Sequence, residues 1–346
     1  MSRTPRVLHA AARMRGAALL AALLTVAMVA TLAAAGLWQQ WRSIEVEAAE
    51  RQRAQAAWIL SGALDWTRLI LREDAAAGTI DHLAEPWAVP LQESRLSTFL
   101  AADRNTGTSG TTVDQAFLSG EIVDLQSRLN LANLVQGTRV SEPGLRSFQR
   151  LFVQLGLPAQ QLDAMATQMV RASQTPSGAS AADGGAITPL RPWRVSQLGW
   201  LGMPPATVQA LSPHVVVLPV ATPVNLNTAS AEVIYAVIPG ISLADAQRLV
   251  TARQSSHFRT VADATRALGE AVDLGAGGQV SVASRFFEIH GRLRIDRAIV
   301  EERSVVQRDG LEVLAGLKPR LLAAAEALPG ARLLPGNFTT VQQAIG

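Results

Sequence analysis

The segment Ala17–Leu37, with the sequence AALLAALLTVAMVATLAAAGL, decides how this chain is organised. It is apolar throughout, and no charged residue occurs between Arg15 and Arg42. About 20 apolar residues are enough for one helix to cross the hydrocarbon core of a bilayer. Four arginines precede the segment and the first acidic residue after it is Glu45, so we expect the amino terminus to stay in the cytoplasm. A cleaved secretory signal is the alternative, but this apolar run is long for one.

Helix-forming sequence continues beyond the apolar segment. No proline occurs from Trp41 to Asp74, and apolar side chains recur at Ala57, Leu60, Leu64 and Leu71. One helix of roughly 55 residues would extend ~80 Å at about 1.5 Å per residue. Its first half would lie in lipid, and the apolar stripe of its second half would pack on a globular head.

The composition argues against nucleic acid as a partner. The pI is 10.3, but four of the arginines lie before Ala17, and without them the formal charge falls from +3 to −1. The chain has one lysine, Lys318, and no cysteine, which excludes disulfides, thiolate catalysis and zinc–thiolate sites.

The five histidines lack metal-ligand spacing and no catalytic motif occurs, so we predict that the protein is not an enzyme. Five of the tryptophans are expected to be core anchors: Trp58, Trp66, Trp87, Trp193 and Trp200.

Residues Val224–Arg253, VNLNTASAEVIYAVIPGISLADAQRLVTAR, read as a helical hairpin like those of DNA-binding helix-hairpin-helix modules. Such modules bind phosphate through a turn with two glycines, and here the second position is Ser242. Acidic and basic residues nearly balance around the turn. The alternative to DNA binding is a packing motif in which Asn225 and Asn227 act as capping and turn residues, and we favour it.

Several stretches resemble one family of secretion proteins in the same order along the chain. The basic leader ending at Gly16 before an apolar helix resembles a type IV prepilin-like leader, and the fifth residue after it is Ala21 where most such proteins have Glu. Five later segments carry the rest of the resemblance: DHLAEPWAVP (81–90), GEIVDLQSRLNLANLV (120–135), QLGWLGMPPATVQALSPHVVVLP (197–219), VNLNTA (224–229) and VSVASRFFEIHGRLR (280–294). By this resemblance the chain is identified as a member of the general secretion pathway protein K family, the minor pseudopilins of type II secretion, which typically lack that Glu.

The resemblance implies an α+β fold: a pilin-like long N-terminal helix, transmembrane in its first half, on an antiparallel sheet. Into this head is inserted a large helical domain with a SAM-like, helix-hairpin-helix-like hairpin. Short apolar alternations in 122–135 and 280–306 and helical text in 144–171, 204–211, 229–238 and 243–252 agree with it. The expected segments are a leader (1–16), a transmembrane segment (17–40), the first part of the head (41–139), the insertion (140–276), closing strands (277–310) and an unplaced tail (311–346) with one candidate helix (311–328).

The same resemblance implies the function and the sites. Prepilin peptidase would cleave between Gly16 and Ala17, and the protein would form or cap the pseudopilus tip with the I-type and J-type minor pseudopilins. It would be a single-pass inner-membrane protein with its head in the periplasm. The secretion system would export folded proteins from the periplasm across the outer membrane. Relatives often bind calcium in the insertion, but the acids they use are missing, and Asp183 is the one carboxylate of the loop 172–189. We therefore predict no cofactor, keep calcium as a weaker alternative, and name no metal ligands. A membrane-anchored DNA-binding protein of competence type is the other function considered.

Overall fold

The computed structural model describes residues 8–98, 116–173, 189–269, 274, 277–295 and 298–308. The chain divides into two units, residues 1–59 and 60–346, and each is considered by itself. The other ranges contain most of the polar loop 172–189 with Asp183, and the whole tail 311–346 with its candidate helix. The predictions made for those segments therefore lie outside the described residues.

The first unit consists of the amino-terminal part of helix α1, which runs from Leu8 to Ala77. Every residue from Ala17 to Ala48 is exposed. Two hydroxyl groups in this apolar stretch are satisfied within the helix: Thr25 Oγ1 donates to the Ala22 carbonyl and Thr31 Oγ1 to the Met28 carbonyl, each at 2.8 Å. Backbone and hydroxyl groups paired in this way suit a helix whose surroundings offer no water.

In the second unit, the end of α1 packs on a four-stranded antiparallel sheet. The strand order is β1-β2-β9-β10, with β1 at Leu91–Arg95, β2 at Ala116–Asp124, β9 at Phe286–Ile295 and β10 at Ala298–Gln307. The register pairs Leu118 with Leu293 and Ile122 with Ile289. Leu71 of α1 is buried with Trp87, Phe287, Ile289 and Val306 in the core under the helix.

The chain between β2 and β9 forms the insertion, which has its own core. Its helices are α2 (Glu142–Gln154), α3 (Ala159–Ser173), α4 (Pro205–Leu211), α5 (Ala231–Val237), α6 (Leu243–Ser255) and α7 (Val261–Ala267). Two-residue strands connect them: β3 (Leu129–Asn130), β4 (Val135–Gln136), β5 (Arg139–Val140), β6 (Val215–Val216), β7 (Val224–Asn225) and β8 (Val280–Ser281). Phe148, Phe152 and Met165 are among the fully buried side chains of this core.

The α+β fold expected from the sequence, a long helix on an antiparallel sheet with inserted helices, is confirmed. Three details differ. The helical text in 144–171 is two helices, because the chain breaks at Leu155–Pro158, where Gly156 has φ +66°. The strands expected in 122–135 give way after Asp124 to short 3-10 turns at Leu125–Ser127 and Leu131–Leu134. Helix α7 was not expected. The segment boundaries proposed above stay predictions.

The prediction that five tryptophans anchor the core is wrong for four of them. Only Trp87 of the five is buried; Trp58, Trp66, Trp193 and Trp200 are between 43% and 80% exposed. The cause in α1 is helical phase. Leu60, Thr67 and Leu71 form the buried stripe, and Trp66 lies about 100° away from Thr67 around the helix. Ala57, the first residue of the expected stripe, is exposed as well.

Candidate functional site

The apolar part of α1 is the first candidate functional element. Helix residues 17–77 meet the length and composition of a membrane span, with a mean hydropathy of 2.3 in the most apolar window and none of that window buried. Leu24, Val29 and Leu32 are each more than 60% exposed. At the end of this stretch the rings of Trp38 and Trp41 lie 5.6 Å apart, and tryptophan pairs of this kind are typical of the membrane–water interface. The helix therefore has the features of a membrane anchor.

The predicted cleavage bond, Gly16–Ala17, lies inside this helix, since α1 begins at Leu8 and continues without interruption. A glycine lowers helix stability by about 1 kcal/mol relative to alanine, so the helix opens more readily here than at a neighbouring alanine. Ala21 lies one turn further on and is exposed. Cleavage between Gly16 and Ala17 stays a prediction.

The second candidate is a buried polar junction that joins the insertion to the sheet. At its centre is Asp124, the last residue of β2, which is 3% exposed. Its Oδ2 accepts hydrogen bonds from Thr228 Oγ1 at 2.5 Å and Ser284 Oγ at 2.6 Å, and its Oδ1 accepts from the Gln126 amide at 2.8 Å. Burial raises the pKa of Asp124 to about 6, and the three donors oppose that rise.

Asn225, in the hairpin segment, extends the junction to the turn after α1. Its Nδ2 lies 3.1 Å from Asp124 Oδ2, 3.0 Å from Ser284 Oγ and 3.1 Å from the Asp81 carbonyl oxygen. Its Oδ1 accepts from the Asn227 amide, which is the turn role expected from the sequence. Asn227 in turn pairs with the backbone of Phe258 through both side-chain atoms, each at 2.9 Å. The two asparagines therefore fix the hairpin to its surroundings as well as shaping its turn.

A second carboxylate group, Asp81, joins the closing strand to α1 through an arginine. Arg308 Nη2 lies 2.5 Å from Asp81 Oδ1, and its Nη1 lies 2.7 Å from Asp74 Oδ2 near the end of α1. The Ser284 amide donates to Asp81 Oδ2 at 2.6 Å. Burial raises the pKa of both carboxyls, that of Asp74 to about 6, because Arg308 only partly offsets the loss of water. One partly buried cation thus pairs with two carboxylates.

Next to this group, His82 and His257 stack with ring centroids 3.8 Å apart and an angle of 14° between the planes. His82 belongs to the turn after α1 and His257 to the loop after α6. Burial lowers the pKa of both side chains. His82 lowers the pKa of His257 as well, whereas Asp74 and Asp81 oppose the fall at His82. The sequence predicted no relation among the histidines, and their separation of 175 positions gave no spacing signal.

The carboxylates do not form a fitting metal site. Asp74, Asp81 and Glu85 offer oxygen atoms within 4.8 Å of one another, the one such group among the residues that the structure describes. However, Arg308 occupies the first two, and Glu85 Oε2 accepts from Trp87 Nε1 at 2.7 Å and the His82 amide at 2.9 Å. A cation would have to displace the arginine. The prediction of no cofactor and the calcium alternative both remain predictions.

The hairpin uses its basic side chains within the fold. Arg253 Nη1 donates to the carbonyls of Leu226 and Ala229, both at 2.6 Å, and burial lowers the pKa of Arg253 to about 10. Arg248 pairs with Asp245, which also forms the capping box of α6 with Ser242. Ser242 therefore begins a helix instead of completing a two-glycine phosphate nest. Nothing in this geometry favours DNA binding.

Comparison with known proteins points the same way as these features. Residues 127–220 and 224–282 match two family models that are each described as type II secretion system (T2SS), protein K. The type II secretion system protein K of Pseudomonas aeruginosa is 27% identical over 292 residues, covering 79% of this chain and 83% of the relative. That of Klebsiella pneumoniae is 29% identical over 323 residues, covering 86% and 94%.

A solved structure has a similar fold. A chain in the crystal structure of the GspK-GspI-GspJ complex from the enterotoxigenic Escherichia coli type 2 secretion system aligns with a TM-score of 0.55. The alignment covers 76% of this chain and 94% of that chain at 19% sequence identity. The fold of this chain is therefore similar to that of a chain in a solved secretion-system complex.

Proposed function

We propose that the chain is a member of the protein K family of type II secretion systems, a minor pseudopilin that forms or caps the tip of the pseudopilus. Its role is structural, in the export of folded proteins from the periplasm across the outer membrane. The observation that carries the proposal is the match of residues 127–220 and 224–282, in the insertion, to models of this family, on a chain with a long apolar helix near its amino terminus.

We infer that the apolar part of α1 holds the protein in the inner membrane in a single pass, with the head in the periplasm. Arg3, Arg6, Arg13 and Arg15 precede the span, which supports a cytoplasmic amino terminus. Prepilin peptidase would remove residues 1–16. Amino-terminal sequencing of the membrane-extracted protein is expected to start at Ala17; a start near Ala35 would instead indicate signal peptidase.

The proposed partners are the I-type and J-type minor pseudopilins. The similar fold occurs in a complex named for three such proteins, which supports this choice. The test is co-purification of the tagged full-length protein with the pseudopilins encoded beside it, together with a secretion assay in a strain that lacks it. Retention of the other two proteins and loss of secretion are expected. Normal secretion in the deletion strain would refute the role.

A further inference from the structure

A cleft of about 230 Å³ lies between the end of α1 and the sheet. Its floor is the pair Gly120 and Gly291, which face each other across β2 and β9. Its walls are mainly apolar and come from α1, the turn after it and the sheet: Leu60, Leu64, Ile70, Trp87, Val89 and Ile289. The cleft is thus a gap under the helix.

The two glycines leave this part of the sheet without side chains. A Cβ at Gly291 would lie 3.1 Å from Leu60 Cδ2, which shows how closely the helix approaches the floor. A cavity of about 150 Å³ with apolar walls stays dry and accepts a benzene-sized ligand. This cleft is larger and opens beside Val89, which is 66% exposed. Its dimensions suit two or three apolar side chains of a docked segment.

Two acidic groups line the cleft beside these apolar walls, and one of them, Glu121 of β2, lies 3.0 Å from His290 Nδ1. Glu302 of β10 hydrogen-bonds with the Ser304 side chain, which leaves its charge unneutralised, and burial raises its pKa. A segment that presents a basic side chain next to apolar ones would therefore match the cleft in both shape and charge.

The chain leaves the described residues close to the cleft. Arg308 follows β10 directly, and its guanidinium lies 5.0 Å from the centre of the Phe287 ring. That ring meets Trp87, a wall of the cleft, at 5.2 Å. Residues 309–346 follow, long enough to reach the cleft at about 3.3 Å per residue. Leucines recur at 311, 314, 317 and 321, beside Lys318 and Arg320.

We propose that residues 311–322 bind in this cleft of their own molecule, with leucine side chains in the gap and Lys318 beside Glu302. The cleft is then an intramolecular docking site for the carboxy-terminal segment.

The absence of native cysteines makes the contact measurable in the full-length protein in detergent. Val89→Cys at the mouth of the cleft is combined with Leu317→Cys and treated with a short bismaleimide. An intramolecular cross-link between the two positions is expected, identified by peptide mass spectrometry. The matched control joins Leu317→Cys to Val153→Cys, another valine, 76% exposed, on helix α2 of the insertion. Its cross-link yield is expected to be at least fivefold lower.

Charge reversal tests the pairing of Lys318 with Glu302. Lys318→Glu in the Val89–Leu317 pair should lower the yield severalfold, and adding Glu302→Lys should restore it. Equal yields from Val89 and Val153 would overturn the proposal. Cross-links between two copies would instead show that the cleft binds the segment of a second molecule, which would overturn the proposal. If the intramolecular cross-link is lost only when another pseudopilin is added, the segment binds in the cleft and can be displaced. Insensitivity to both charge variants would refute the pairing.

Discussion

Asp124 connects parts of the chain that are far apart in sequence, because its donors Thr228 and Ser284 lie 104 and 160 positions away. A buried carboxylate with this many donors contributes little net stability while intact, since desolvation offsets the hydrogen bonds. A substitution that removes a carboxylate oxygen of Asp124 leaves some of these donors without an acceptor. The cost of substitution should therefore be much larger than the contribution of the intact group.

Asp124→Asn is the direct test at this residue. It replaces one acceptor oxygen with a donor amide among donors, and we expect a loss of about 1–3 kcal/mol in the free energy of unfolding. The measurement is chemical denaturation followed by circular dichroism. Asp163→Asn on the exposed surface of α3 is the control and should change stability little. Equal stability of the two variants would contradict a satisfied ionised junction.

Asp74 predicts a dependence on pH. Its pKa is raised to about 6 in the folded protein, so its stabilising contribution is complete below about pH 4 and is lost as the pH rises through 6. Asn resembles the protonated acid and does not titrate. The stability of Asp74→Asn relative to the unmodified protein should therefore increase between pH 4.5 and pH 7, measured from unfolding curves at each pH. The lowered pKa of His257 acts in the opposite direction in both proteins. Loss of the Asp74 charge lowers the pKa of His82 further in the variant, which adds to the same increase with pH. A difference that is flat with pH would contradict the raised pKa.

At the scale of elements, helix α2 approaches the 3-10 turn at Leu131–Leu134 unusually closely. A Cβ at Gly144 would lie 1.9 Å from the Asn133 carbonyl oxygen. Gly144→Ala should therefore move the start of α2 and destabilise the insertion by about 1–3 kcal/mol, read from the midpoint of thermal unfolding. Gly199→Ala is the matched control, because nothing lies within 4 Å of the added atom. Similar midpoints for the two variants would contradict this close packing.

Local signals in the sequence account for most of the elements. Ser230 and Ser242 cap α5 and α6, and the apolar residues of both helices recur at helical spacing in the sequence. Helix α7 was missed although Thr260 and Asp263 form a capping box at its start, a signal that the sequence contains. The 3-10 turns after Asp124 were missed because β-favouring residues continue through them.

Neither the polar junction around Asp124 nor the ion pairs of Arg308 could be predicted from such local signals. Arg308 reaches Asp81 across 227 positions, and no periodicity connects such residues. Asn225 was assigned a turn role, which is correct, but its contacts with Asp124 and Ser284 depend on how the hairpin packs on the sheet. Exposure of Trp193 and Trp200 likewise depends on packing, since residue type alone favours burial.

For the whole molecule, the absence of a carboxylate at Ala21 predicts limited self-association. A neighbouring amino terminus in lipid would find no acid to pair with, and an unpaired charge in lipid is costly. The purified full-length protein should not form homopolymers by electron microscopy, and Ala21→Glu should be neutral or harmful to secretion. Homopolymeric filaments of the unmodified protein, or a requirement for Glu at this position, would contradict the proposed place at the tip.

The pairing of β2 with β9 sets the order in which a newly made chain can fold. Asp124 ends β2, Phe286 begins β9, and the whole insertion is synthesised between them. At about 5–20 residues per second, the ribosome needs roughly ten to thirty seconds for that interval. During this time β2 has no β9 to pair with. The buried residues of the insertion's core all lie between β2 and β9, so this core can form before β9 is made. Folding of the insertion is therefore expected to precede closure of the sheet. The ion pairs of Arg308 with Asp74 and Asp81 form last, when Arg308 emerges.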